Sequence, residues 1–118
     1  MPRILQGSII RANVLDPAGQ NPKVRPLVVV TANSEIGKAP TLFAVAITGE
    51  FGDPLGADEV VLPWHPRGTS RTRLTKPCVA KCSWICELAA TDVVEVRGHV
   101  PAAELAAILT RLSGMSGT

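Results

Sequence analysis

The sequence predicts a small, partly open β-barrel of the all-β or α+β kind with one C-terminal helix. Three observations carry this. Short, branched apolar runs are separated by loops rich in Gly and Pro, no amphipathic helical segment intervenes between the early runs, and one Ala- and Leu-rich helical pattern closes the chain. The second observation disfavours a doubly wound α/β sheet, which needs a crossover helix between successive parallel strands.

Residues 8–14 read as a first strand with imperfect alternation, ended by the turn formers of Leu15-Asp16-Pro17-Ala18-Gly19-Gln20-Asn21-Pro22. Residues 27–31 form a Val-rich strand whose continuous hydrophobicity suits a central position, with Pro26 at its start. Residues 33–40 are a connection, and residues 42–48 a further strand that ends at Thr48. Residues 49–56 carry too much Gly and Pro for regular structure, and residues 60–62 form a short strand stopped by Pro63.

Residues 67–76 read as a basic loop. Residues 78–85 fit a strand with Cys78, Ala80, Cys82 and Trp84 on one face and Val79, Lys81, Ser83 and Ile85 on the other. Residues 86–92 are expected to form a short helical turn, and residues 93–96 a last strand. The helix starts near Pro101, carries Leu105, Ile108, Leu109 and Leu112 on one face, and is expected to stop at Gly114. The whole chain, residues 1–118, is expected to be one domain with its core in 6–112 and a flexible tail over 113–118.

At this length about 65% of the unfolded surface is buried on folding, enough for one modest core. Twelve basic and ten acidic residues give a formal charge of +2, so a polyanion site must be a local patch. No apolar stretch approaches the ~20 residues that span a bilayer, and the N-terminus lacks a signal-like apolar region. The expectation is a cytoplasmic protein with no membrane contact. The three cysteines, Cys78, Cys82 and Cys86, read as reduced thiols. Their spacing makes no zinc knuckle, so neither metal nor cofactor is assigned.

Arg25 and Thr48 stand at the rims of consecutive apolar runs. A guanidinium offers five donors in a rigid fork and stays charged, which suits a phosphate, although a lone Arg also reads as a solvated rim or ion-pair residue. The Thr48 hydroxyl either caps the strand end or donates to a non-bridging phosphate oxygen. No adjacent base activates it as a nucleophile. RNA supplies its own nucleophile, the 2′-hydroxyl, and Glu50, Asp53 and His65 are nominated for proton transfer, each also readable as a solvated loop group. Lys23, Arg67, Arg71, Arg73, Lys76 and Lys81 are nominated for RNA phosphates, against the alternative of a solvated charged face. Phe51 and Trp64 are candidate base-stacking surfaces, whereas Phe43 and Trp84 are assigned to the core.

The segments Gln6-Gly7-Ser8-Ile9-Ile10, Leu15-Asp16-Pro17 with Gly19, Lys23-Val24-Arg25-Pro26-Leu27-Val28-Val29-Val30, Val45-Ala46-Ile47-Thr48 and Leu74-Thr75-Lys76-Pro77-Cys78-Val79, then Gly98 and the terminal helix, resemble the PemK/MazF-like growth-inhibitor toxins. The resemblance spans residues 6–112. It implies an SH3-like barrel, a homodimer, and an endoribonuclease that cuts single-stranded RNA to leave 2′,3′-cyclic phosphate and 5′-hydroxyl ends. It further implies inhibition by a cognate antitoxin, and catalytic roles for Arg25 on the transition-state phosphate and Thr48 on the scissile phosphate. Gly19-Gln20-Asn21-Pro22-Lys23 departs from the Gly-x-Glu-Gln-like segment common in that family. A related barrel poisons gyrase, so gyrase inhibition and an inactive RNA- or partner-binding module are the alternative functions.

Overall fold

The computed structural model describes residues 3–116. Six strands form one antiparallel sheet: β1 (Ser8–Val14), β2 (Lys23–Val29), β3 (Thr41–Thr48), β4 (Glu59–Leu62), β5 (Cys78–Ala89) and β6 (Val93–His99), in the spatial order β4-β5-β3-β2-β1-β6. Helix α1 (Ala102–Ser116) packs against β4 and β5.

Alternate residues along the strands divide between two apolar clusters, as the two-residue period of a strand requires. Ile9, Val28, Val45, Ile47, Cys78, Ala80 and Cys82 lie in the first, which Ile108 of the helix completes. Ile10, Leu27, Val29, Ala44 and Ala46 lie in the second, which Trp84, Cys86 and Ile36 flank. The sheet is therefore buried on both faces. Register shifts in the β1–β6 ladder between Ile9 and Ile10 and between Arg11 and Ala12 bend the sheet toward closure.

Between the edge strands β4 and β6 the gap is bridged by the loop 63–77. The Thr72 hydroxyl donates to the Pro63 carbonyl (2.6 Å), His65 N–H donates to the Leu74 carbonyl (3.0 Å), and His99 N–H of β6 donates to the Arg71 carbonyl (2.9 Å). The result is the expected partly open barrel.

Several local expectations are corrected. Strand β2 begins at Lys23, so Arg25 lies within it and Pro26 is not at its start. Val30 donates to the Phe43 carbonyl (2.9 Å), so alternate residues Val28 and Pro26 also turn their backbone edge toward β3. Pro26 has no N–H to offer, and pairing with β3 stops at Leu27. The unzipped strand ends leave room for a groove.

Strand β5 runs on to Ala89, reducing the expected helical turn to a 3-10 turn at Ala90–Asp92, and β6 extends to His99. Val45 pairs with Ile85 but Ala46 pairs with Lys81, so Cys82, Ser83 and Trp84 bulge out of the ladder. The bulge breaks the expected face assignment: Trp84 leaves the cluster of Cys78, Ala80 and Cys82, and is half-buried on the other. Phe43, also assigned to the core, is exposed. Helix α1 passes through Gly114 to Ser116, because one glycine costs only about 1 kcal/mol in a helix. The expected tail is thus helical over 113–116, and 117–118 lie outside the described residues.

Candidate active site

The unzipped ends of β2 and β3 open onto a groove of about 780 Å³, lined by the β1–β2 loop, Arg25 and Pro26 of β2, Ile47 and Thr48 of β3, Gly49, Glu50 and Lys76, and residues of β5 including Trp84. The β2–β3 register pairs Leu27 with Ala46, and continued outward by one more alternation it sets Arg25 across from Thr48. A cation and a hydroxyl thus face one groove from neighbouring strands.

Arg25 is held on two sides. Its Nη2 donates to the Asn21 carbonyl (2.9 Å), and its guanidinium carbon sits 5.2 Å from the centroid of the Trp84 ring. That geometry is a cation–π contact, which leaves the edge of the guanidinium fork for other partners. Its Nε is buried without a hydrogen-bond acceptor. An unmet buried donor costs about 1–3 kcal/mol, a cost of holding the guanidinium against Trp84.

The Asn21 carbonyl is placed by the β1–β2 loop. Asp16 accepts from Ala18 N–H (3.0 Å), Gln20 N–H (2.8 Å) and the Asn21 side-chain amide (2.7 Å), and its own N–H donates to the Gln20 carbonyl (2.7 Å). Asn21 then turns through φ 53°, a left-handed conformation that Asn tolerates. The Asn21 amide, with the two backbone donors and then the Arg25 charge, holds the Asp16 carboxyl below its ordinary pKa.

Thr48 Oγ1 accepts from Glu50 N–H (3.0 Å), which leaves the hydroxyl proton free to be donated. Cys78 is a buried wall residue whose thiol pKa is raised by burial, which makes it a poor nucleophile.

Of the nominated residues, Arg25, Thr48, Lys23, Lys76, Lys81 and Glu50 meet in this groove. Lys81 is already answered by carboxylates, Asp58 at 3.3 Å and Glu59 at 3.7 Å. Asp53, Phe51, Trp64, His65, Arg67 and Arg71 lie outside it, and Arg73 lines an adjoining groove. His65 is occupied locally, accepting the Arg67 N–H at Nδ1 (3.1 Å).

Sequence reasoning missed Trp84 as a groove residue, and it missed the support given by Asp16 and Asn21. The sequence signal for the loop was present in Asp16-Pro17 followed by Gly19, an Asx-type turn. For Trp84 the strand itself carries no signal, because the bulge that turns it is held from outside the strand. Ser83 hydrogen-bonds Asp58, whose carbonyl also accepts Cys82 N–H (2.7 Å), and these contacts hold the bulge. Among the described residues no cluster of three or more His, Cys, Asp or Glu is arranged to hold a metal ion, and no helix is long and apolar enough to cross a membrane.

The fold matches solved structures of bacterial toxins. MazF from Deinococcus radiodurans superposes with a TM-score of 0.76 at 21% identity, with 100% of each chain covered. An endoribonuclease from a mycobacterial species gives 0.72 at 17% identity, covering 99% of this chain and 94% of that one. The MazE–MazF complex from D. radiodurans gives 0.72 at 20% identity, covering 98% and 97%. None of the curated protein sequences compared with the chain matches it. Residues 5–115 match the family described as PemK-like, MazF-like toxin of type II toxin–antitoxin system, and the chain belongs to that family.

Proposed function

We propose that the protein is a toxin endoribonuclease that cleaves single-stranded RNA, mRNA in the cytoplasm above all, by attack of the 2′-hydroxyl on the adjacent phosphate. The observation that supports this most is the Arg25 guanidinium, pinned by Asn21 and Trp84, in one groove with the Thr48 hydroxyl. A phosphate in that groove can accept from the guanidinium edge that neither Asn21 nor the Trp84 ring occupies.

In this reading the 2′-oxygen bonds to phosphorus as the bond to the 5′-oxygen breaks, giving a 2′,3′-cyclic phosphate and a free 5′-hydroxyl. The phosphorane-like transition state carries more negative charge on its non-bridging oxygens than the ground state. Arg25 and the Thr48 hydroxyl therefore bind it more strongly than they bind the substrate, which is the condition for catalysis. Glu50 is the nominated proton-transfer carboxylate that lines the groove. The chemistry as written draws only on side chains and the RNA.

Family membership supports a cognate antitoxin as inhibitor, and a homodimer is the working state that the resemblance implies. The MazE–MazF complexes of D. radiodurans show a toxin of this fold held by a partner. The test is cleavage of a defined single-stranded RNA pool in EDTA by the protein and by Arg25→Ala, with product ends analysed. Cyclic-phosphate ends that vanish in the variant are expected. Intact RNA with folded wild-type protein would overturn the reading and favour gyrase inhibition or an inactive binding role.

A further inference from the structure

We propose that a second groove beside the Arg25 site is a subsite for a phosphodiester flanking the one that is cleaved. The proposal rests on the reading of the protein as an RNA-cleaving enzyme. The groove, about 300 Å³, shares Pro26, Lys76 and Cys78 with the first, so a strand leaving Arg25 passes directly into it.

Its charge is one-sided. Arg11, Arg73, Lys76 and Arg97 line it, and no carboxylate does. Nearby, Glu95 lies 3.7 Å from both Arg11 and Arg97, one carboxylate shared between two guanidinium groups. Arg73 and Lys76 make no ion pair among the described residues. With one carboxylate beside four cations the concave surface keeps a net positive charge, and it gains from a polyanion.

The surface is also built by the fold. Arg73 stands at φ 62°, a left-handed conformation rare for a long side chain, and its N–H is held by the Ser70 carbonyl (3.0 Å). Buried Thr72 beside it anchors the loop to Pro63, and Arg71 is tied to β6 through His99. The backbone of Arg73 is thereby held at the groove, from which its exposed side chain extends. Chains from β1, β6 and the 63–77 loop thus converge cations on one place. An extended phosphodiester backbone, with a charge on every residue, matches that row.

Two 2′-O-methyl RNA probes, which lack the attacking hydroxyl, test this. One is a dinucleoside monophosphate, followed by the tryptophan indole resonances; the other is a mixed-sequence octamer, followed by fluorescence anisotropy across a KCl series. In the double variant Arg73→Gln, Arg97→Gln, octamer affinity is expected to fall at least about tenfold more than dinucleoside affinity. The slope of log affinity against log salt should shrink by roughly 0.7 for each cation removed. The Arg73→Lys, Arg97→Lys protein, which keeps both charges, should recover the slope. An unchanged octamer slope in a folded Gln variant, or equal losses on both probes, overturns the subsite and leaves the groove to an acidic polypeptide. Failure of the wild-type protein to bind either probe would overturn the underlying RNA reading as well.

Discussion

Arg25 and Thr48 differ in how each is held, and the difference predicts how each substitution behaves. Arg25 is fixed through its side chain, by the Asn21 carbonyl and the Trp84 ring, so a shorter ammonium at this position would lose both the fork and the stacking. Thr48 is fixed by the backbone of Glu50 donating to its hydroxyl. Thr48→Val keeps the shape, removes one donor from the groove, and leaves the Glu50 N–H to solvent. Cleavage is expected to slow by about 10²-fold, the order of magnitude for a lost transition-state donor, with the thermal midpoint nearly unchanged. A single-turnover assay beside a melting curve checks both halves. The pairing itself was legible in the sequence because Arg-Pro and the strand-ending Thr each stand at the boundary of an apolar run. Trp84 was not legible, since counting alternate residues places it in the core unless the bulge is known.

Two irregular elements decide what the groove contains. The β5 bulge depends on Asp58: its carboxylate meets Ser83 and Lys81, its carbonyl meets Cys82 N–H, and the Ser83 contact, then Lys81, holds its carboxyl below the ordinary pKa despite the opposing effect of burial. No single-strand pattern encodes a bulge whose partner lies in the turn before the neighbouring strand, which is why the face assignment failed there. The β1–β2 loop depends on Asp16 in the same manner, and it carries a pH signature. The Asp16 pKa is lower in the folded protein, so its contribution is present in full above the ordinary carboxylate pKa and is lost as pH falls through the depressed value. Protonation weakens the Asp16 carboxyl as acceptor for the Ala18 and Gln20 N–H groups and the Asn21 side-chain amide, and with it the register of the Asn21 carbonyl on Arg25. Asp16→Ala is therefore expected to lower cleavage at neutral pH and to abolish the acid-side change in amide protection of residues 18–21. Hydrogen exchange across an acid pH series measures it. Protection that is the same in both proteins at every pH would show that the loop holds itself without the carboxylate.

The barrel as a whole closes through a segment with no regular structure. In sequence, residues 67–76 read as a basic loop nominated for RNA phosphates, against the alternative of a solvated charged face. What the sequence could not show is that Gly98 of β6 admits the loop's backbone. A Cβ at Gly98 would clash with the Thr72 carbonyl oxygen and lie 2.7 Å from that of Arg71. Both are main-chain atoms, which cannot swing aside as a flexible side chain can. Gly98→Ala must therefore push the 63–77 loop off β6 and strain the His99-to-Arg71 hydrogen bond that bridges the edges. Overpacking of this kind costs typically about 1–3 kcal/mol, and the loss of the bridging bond adds to it. The thermal midpoint is expected to fall by about 4 °C per kcal/mol, where the ranges for smaller and larger domains meet. The same displacement carries Arg73 and Lys76 away from the grooves they line, so RNA affinity should fall together with stability. Ile108→Ala serves as the control, because it leaves a cavity under α1 at a cost of about 2–5 kcal/mol while touching neither groove. If Gly98→Ala, still folded at the assay temperature, loses no more RNA affinity than Ile108→Ala, then the loop does not need its seat on β6 to present its cations.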